Sequence, residues 1–173
     1  MASILNVDQI NNAAGTSALT IDASGNVNIP GHVVQVVQYL DRGFASGSKS
    51  NLAVLSSATF VDIMSKSITT TTANSKILVQ VSIVGFASSN LMRTSAKVFR
   101  DSTEIDADAY AIYGPSGHMS NYISTVLDSP SAIAGTTITY KMQANANTGS
   151  LSIGYGDSAG GANSNITLME IAQ

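Results

Sequence analysis

Lys76-Ile-Leu-Val-Gln-Val-Ser-Ile-Val-Gly-Phe86 is the stretch that decides the fold class. Its odd positions, Ile77, Val79, Val81 and Ile83, are all branched aliphatics, while the even positions mix Leu78 and Val84 with Gln80 and Ser82. A period of two with one dry face and one mixed face describes a strand, and β-branched residues favour strand over helix. Eleven extended residues reach about 35 Å, more than the usual strand, which places this one in the middle of a sheet. Lys76 and Gly85 read as its edge markers.

The same rhythm of strand, polar turn and strand holds on both sides from His32 onward. Val33–Tyr39, Phe60–Ile63, Ser67–Thr72, Ser95–Arg100, Asn121–Leu127, Thr136–Ala144, Ser150–Ile153 and Asn165–Ile171 read as further strands. In the Thr136–Ala144 segment, Ile138, Tyr140 and Met142 point one way and Thr137, Thr139, Lys141 and Gln143 the other. Asp41 to Asn51 is a polar loop, and Val61–Lys66 is the one place where a single helical turn is conceivable. Many short strands without alternating helices predict an all-β fold, an antiparallel β-sandwich of jelly-roll type, with an open barrel as the alternative.

Residues 1–31 differ from the body that follows at 32–173. Ser3–Ile10 is apolar but too short for a core. Ala18–Ile21 and Asn26–Ile29 flank Asp22-Ala-Ser-Gly25, which reads as a small hairpin with Gly25 supplying a positive φ. An isolated hairpin is marginal in water. This extended N-terminal arm is therefore expected to dock on a partner through Ile4, Leu5, Val7 and Ile10, whose joint exposure would otherwise be a liability.

Composition excludes several function classes. Of 173 residues, 11% are charged and 44% hydrophobic, which is enough apolar material for one core beneath a surface of hydroxyls and amides. With eight basic residues, a net charge of −3 and a pI near 5.1, nucleic acid is not an expected partner. Cysteine is absent, so thiolate metal sites and disulfides are excluded. No apolar run has membrane-spanning length and no signal-peptide pattern is found, so no membrane partner is expected.

No catalytic, cofactor-binding or metal-binding residues emerge, and an enzyme is not expected. His32 and His118 lie in loops without metal-ligand spacing. The acidic run Asp101–Asp108 holds four carboxylates but lacks the calcium-loop pattern, and reads as a solvated turn facing Arg93, Lys97 or Arg100. Gly154-Tyr-Gly156 and Gly160-Gly161 precede a strand rather than the helix that phosphate binding needs. Asn165-Ile-Thr167 fits the glycosylation triplet but falls in an expected strand. Tyr110 and Tyr113, read as loop residues beside Pro115 and Gly117, and Tyr155 in another loop, are the candidates for a ligand surface.

The stretch from Ile4 to Val27 resembles the N-terminal arm of structural proteins of tailed bacteriophages, especially aquatic ones. Val33–Gln38, Ser75–Val81, Phe99–Ile105, Leu127–Pro130, Thr137–Lys141 and Leu168–Ile171 are similar, in order, to pieces of a jelly-roll domain that recurs in those virions. That resemblance implies a non-enzymatic homotrimer on the virion exterior, bound to the major capsid protein or another virion protein, and it supplies no catalytic residues. Such domains occur in capsid decoration (cement) proteins and in tail fibres. One compact domain after a short arm, with no shaft repeat between them, favours decoration. The alternative is a tail-fibre or receptor-binding tip with a host-surface glycan as ligand.

Overall fold

The computed structural model describes residues 7–21, 23, 25, 27–41, 44–45, 48–49, 53–56, 58–87, 92–154, 156–157, 160–161 and 163–173. Among them every regular element is a strand. In chain order these are β1 (Gln9–Asn11), β2 (Ser17–Ile21), β3 (Val27–Asn28), β4 (Val33–Asp41), β5 (Phe44–Ala45), β6 (Ser48–Lys49), β7 (Ala53–Leu55), β8 (Val61–Thr69) and β9 (Lys76–Ala87). There follow β10 (Met92–Arg100), β11 (Thr103–Gly114), β12 (Met119–Asp128), β13 (Thr137–Thr148), β14 (Leu151–Ile153), β15 (Gly156–Asp157), β16 (Gly160–Gly161) and β17 (Ser164–Ile171).

Eight long strands make the body. One sheet runs β4-β17-β9 with β12 on the far side of β9; the other runs β8-β13-β10-β11. Numbered among the eight in chain order, these are strands one, eight, three and six against two, seven, four and five. Successive strands thus alternate between sheets until the turn from β10 to β11, the double Greek key of a jelly roll. All pairings are antiparallel.

β9 holds the sheet together because three strands bond to it. Residues 77–86 pair with β12, residues 76–82 with β17 and residues 85–87 with β14, which continues to β7. Where β17 gives way to β14, the Val84 N–H donates to Ser164 Oγ at 3.2 Å and the Gly154 N–H donates to the Val84 carbonyl at 2.9 Å. No backbone group of Val84 is orphaned at that junction.

Ile77, Val79, Val81 and Ile83 are buried on one face of β9, as their period requires, against Ile138, Tyr140 and Met142 of β13, Val98 of β10, and Ile166 and Leu168 of β17. Gly85 is not an edge marker but a packing position inside β9. A Cβ there would lie 2.7 Å from Leu151 Cδ1 and 2.9 Å from Ile112 Cδ1. Gly85→Ala is expected to lower stability by about 1–3 kcal/mol through overpacking, read as a lower denaturant midpoint at unchanged m-value.

Three local expectations change. Val61–Lys66 forms no helical turn: it lies in β8, paired with β13 from Val61↔Ala144 to Thr69↔Thr137. The strand expected to run to Thr72 ends at Thr69, because the next residues turn inward to a buried carboxylate. Tyr110 and Tyr113 stand on β11 rather than in a loop, since pairing with β10 carries that strand to Gly114.

Candidate docking surfaces

The arm is a three-stranded sheet, β1-β2-β3, that no body strand joins among the described residues. Its first turn is held by Asn12, whose Oδ1 accepts from the N–H groups of Ala14 and Thr16 at 3.0 and 2.9 Å. Gly15 and Gly25 carry φ of +82° and +84° at the two turns, and Ile21↔Val27 and Thr20↔Asn28 pair across the second. The hairpin read from the sequence is present. Val7 is partly exposed and Ile10 is 49% exposed, with Val27 and Ile29 also open to solvent. Ile4 and Leu5 lie outside the described residues. The arm joins the body directly: the Gly31 N–H donates to the Ala172 carbonyl at 2.8 Å, and the Ala172 N–H to the His32 carbonyl at 3.0 Å.

The two outer sheet faces of the body are opposite in character. On the β8-β13-β10-β11 sheet, Lys97 pairs with Glu104 at 2.6 Å and Lys141 with Asp62 at 3.4 Å. The Lys97 and Lys141 ammonium groups also lie 5.0 and 5.6 Å from the ring centroids of Phe60 and Phe99. Hydroxyl pairs Ser67–Thr139 and Thr69–Thr137, each at 2.9 Å, complete a wet face.

The β4-β17-β9-β12 sheet presents rows with no charged side chain. Val36, Met169, Leu78 and Leu127 form one row across four strands; Gln38, Thr167, Gln80 and Thr125 form the next; Leu40, Asn165, Ser82 and Ile123 the third. Val84 with Asn121 and Phe86 with Met119 extend the face along β9 and β12. Lys76 stands only at its rim, opposite Ile171. Exposure reaches 63% at Ile123, 54% at Val36, 53% at Met119 and 52% at Leu127. Large apolar side chains open to water on one contiguous face mark an interaction surface. Its signal was in the quoted stretch, in the mixed even positions of β9, but the neighbouring rows come from strands 40 to 90 residues away in the chain.

The remaining candidates do not converge on a chemical site. The acidic run is a tight hairpin turn followed by a strand. Asp101, at φ +50°, accepts from the Thr139 N–H, Glu104 meets Lys97, and Asp106 accepts from Ser124 at 2.6 Å. Arg100 turns instead to Asp128. The carboxylates thus go to different partners, and no group of three or more metal-ligating acidic or histidine side chains occurs among the described residues. His118 is exposed in the turn after β11, and His32 Nδ1 lies against the Ile29 backbone. Tyr155 lies outside the described residues, as do the side chains of Tyr110 and Tyr113. Asn165 is partly buried within β17, flanked by β4 and β9.

What sequence reasoning missed is Glu170. It is fully buried and receives hydrogen bonds from Ser75 Oγ at 2.6 Å, Gln35 Nε2 at 2.6 Å, and the Thr71 and Thr72 N–H groups at 2.9 and 3.0 Å. Burial pushes its pKa up, but these donors outweigh burial and hold it at about 2. The group ties β17 to β4 and to the turn after β8, and its role is structural.

No family model matches the chain, and no curated protein matches it. Among solved structures, the chain is similar to the VP2 subviral particle of infectious bursal disease virus. The TM-score is 0.50 at 12% identity, over 90% of this chain and 37% of that one. The T13 particle of the same virus gives 0.47 at 12% identity, over 90% and 39%. Dimeric latent PorU from Porphyromonas gingivalis gives 0.45 at 10% identity, over 79% and 13%. The fold is a jelly roll similar to that of VP2, and the chain spans well under half the length of the VP2 protein it matches.

Proposed function

We propose that this chain is a non-enzymatic structural protein of a bacteriophage virion, a homotrimer that decorates the capsid exterior and docks through residues 1–31. The observation that carries the reading is the complete eight-strand jelly roll, similar in fold to a protein of virus particles. The exposed apolar side chains of the arm support the docking role. Burying two such side chains contributes roughly 3–6 kcal/mol before ordering costs, and three arms per trimer add avidity. The direct junction at Gly31 and Ala172, with no shaft between arm and body, favours a knob on a shell over a fibre tip. Copy number tests this: quantitative mass spectrometry of purified particles is expected to find hundreds of copies. A few to tens would place the chain on the tail, where a glycan array becomes the next measurement.

Deleting residues 1–14 removes β1 and leaves every strand of the body intact. The truncated protein is expected to keep the thermal midpoint of the jelly roll but to load onto particles at least tenfold less well. Full occupancy by the truncated protein would show that the arm is not the anchor.

A further inference from the structure

We infer that copies of this chain associate through the charge-free outer face of the β4-β17-β9-β12 sheet, an inference that rests on the homo-oligomeric reading above and assigns its interface.

The occupant follows from the chemistry of the face. Any surface that meets a copy of itself brings like charges together, and Lys97, Glu104, Lys141 and Asp62 all stand on the opposite sheet. The open face carries none on its rows, so copies can approach without repulsion or the desolvation of ions. Its middle row is Gln38, Thr167, Gln80 and Thr125; Gln38 Nε2 donates to the buried Thr167 Oγ1 at 2.8 Å, and the exposed Gln80 and Thr125 can each both donate and accept. Such a row can pair with its copy without a dedicated complementary partner. The apolar row Val36, Met169, Leu78 and Leu127 on one side, and Leu40 and Ile123 at the ends of the row on the other, exclude water from it.

Size agrees. Four strands about 4.8 Å apart and the eight residues of β17, rising about 3.3 Å each, give a face of about 500 Å². Three such faces brought together remove about 1,500 Å² from water in total, about 500 Å² from each copy. Around a threefold axis, three such faces form the inner walls of a prism, which leaves the charged sheets outward and the arms free to reach a shell.

The test is sedimentation velocity on the full chain and its variants at micromolar concentration. The wild type is expected to sediment as an oligomer. Ile123→Lys is expected to weaken association at least 100-fold with an unchanged far-UV spectrum, while Thr137→Lys, on the opposite outer face, sediments as the wild type. An Ile123→Lys protein that assembles like the wild type overturns this interface and leaves homo-oligomerisation standing. A monomeric wild type overturns both. Because the chain has no cysteine, Ile123→Cys gives a second readout that does not depend on tolerance of lysine. Its maleimide reaction is expected to be at least tenfold slower than that of Thr137→Cys in the assembled protein, and equal rates overturn the assignment.

Discussion

Glu170→Ala is expected to destabilise the fold by about 2–4 kcal/mol, because it leaves the buried Ser75 hydroxyl and the partly exposed donors of Gln35, Thr71 and Thr72 without their acceptor. Chemical unfolding at pH 7 reads this loss directly. The same carboxylate makes stability depend on pH. Its folded pKa near 2 lies below the ordinary 4.5, so its contribution is complete above about pH 4.5 and is lost as pH falls toward 2. That interval corresponds to about 3 kcal/mol. Unfolding curves at pH 7, 4 and 2.5 should show the loss in the wild type, and Glu170→Gln should lack this component of the pH dependence.

The second large effect is expected at Asp128. Arg100 Nη1 donates to its two oxygens at 2.8 and 3.0 Å, and Tyr140 Oη donates to Oδ2 at 2.7 Å, across the gap between the two sheets. Burial, then the bond to Asp128, pushes the Tyr140 phenol well above its ordinary value. Asp128→Ala leaves a half-buried guanidinium and a fully buried hydroxyl unpaired, at a cost of about 2–4 kcal/mol. Tyr140→Phe alone should cost about 1–2 kcal/mol. In a double-mutant cycle the pair should lose less than the sum, since both substitutions remove one shared bond. Strict additivity would show that Tyr140 and Asp128 are not coupled.

How much of this was legible in the sequence depends on where each signal lies. The dry face of β9 and the alternation of β13 could be read because burial on one side imposes a period of two on contiguous residues. The Gly25 hairpin could be read because positive φ selects glycine. Asp101–Asp108 reads as a solvated turn although β11 begins at Thr103: Asp106-Ala-Asp-Ala has low strand propensity, and pairing with β10 overrides it. The Thr69–Thr72 run was read as uniformly extended, since nothing local says that Thr71 and Thr72 donate to a side chain about 100 residues on. The open sheet face has the same origin. Its rows are assembled from four distant strands, so each strand shows only its own alternation and none shows that the combined surface lacks charge.

The pairing of β4 with β17 has a consequence for how the protein is made. Among the described residues β4, the first strand of the body, pairs within its sheet only with β17, the last strand of the body. β9 likewise waits for β12 and then β17 before both its edges are covered. On a ribosome, Ile77, Val79, Val81 and Ile83 emerge about 90 residues before Ile166 and Leu168, with which they will pack. Closing loops of that length before any native contact rewards it makes folding slow and exposes an adhesive strand during synthesis. The body can therefore close only once Ser164–Ile171 have been released, and until then the nascent chain should depend on a chaperone that shields β9.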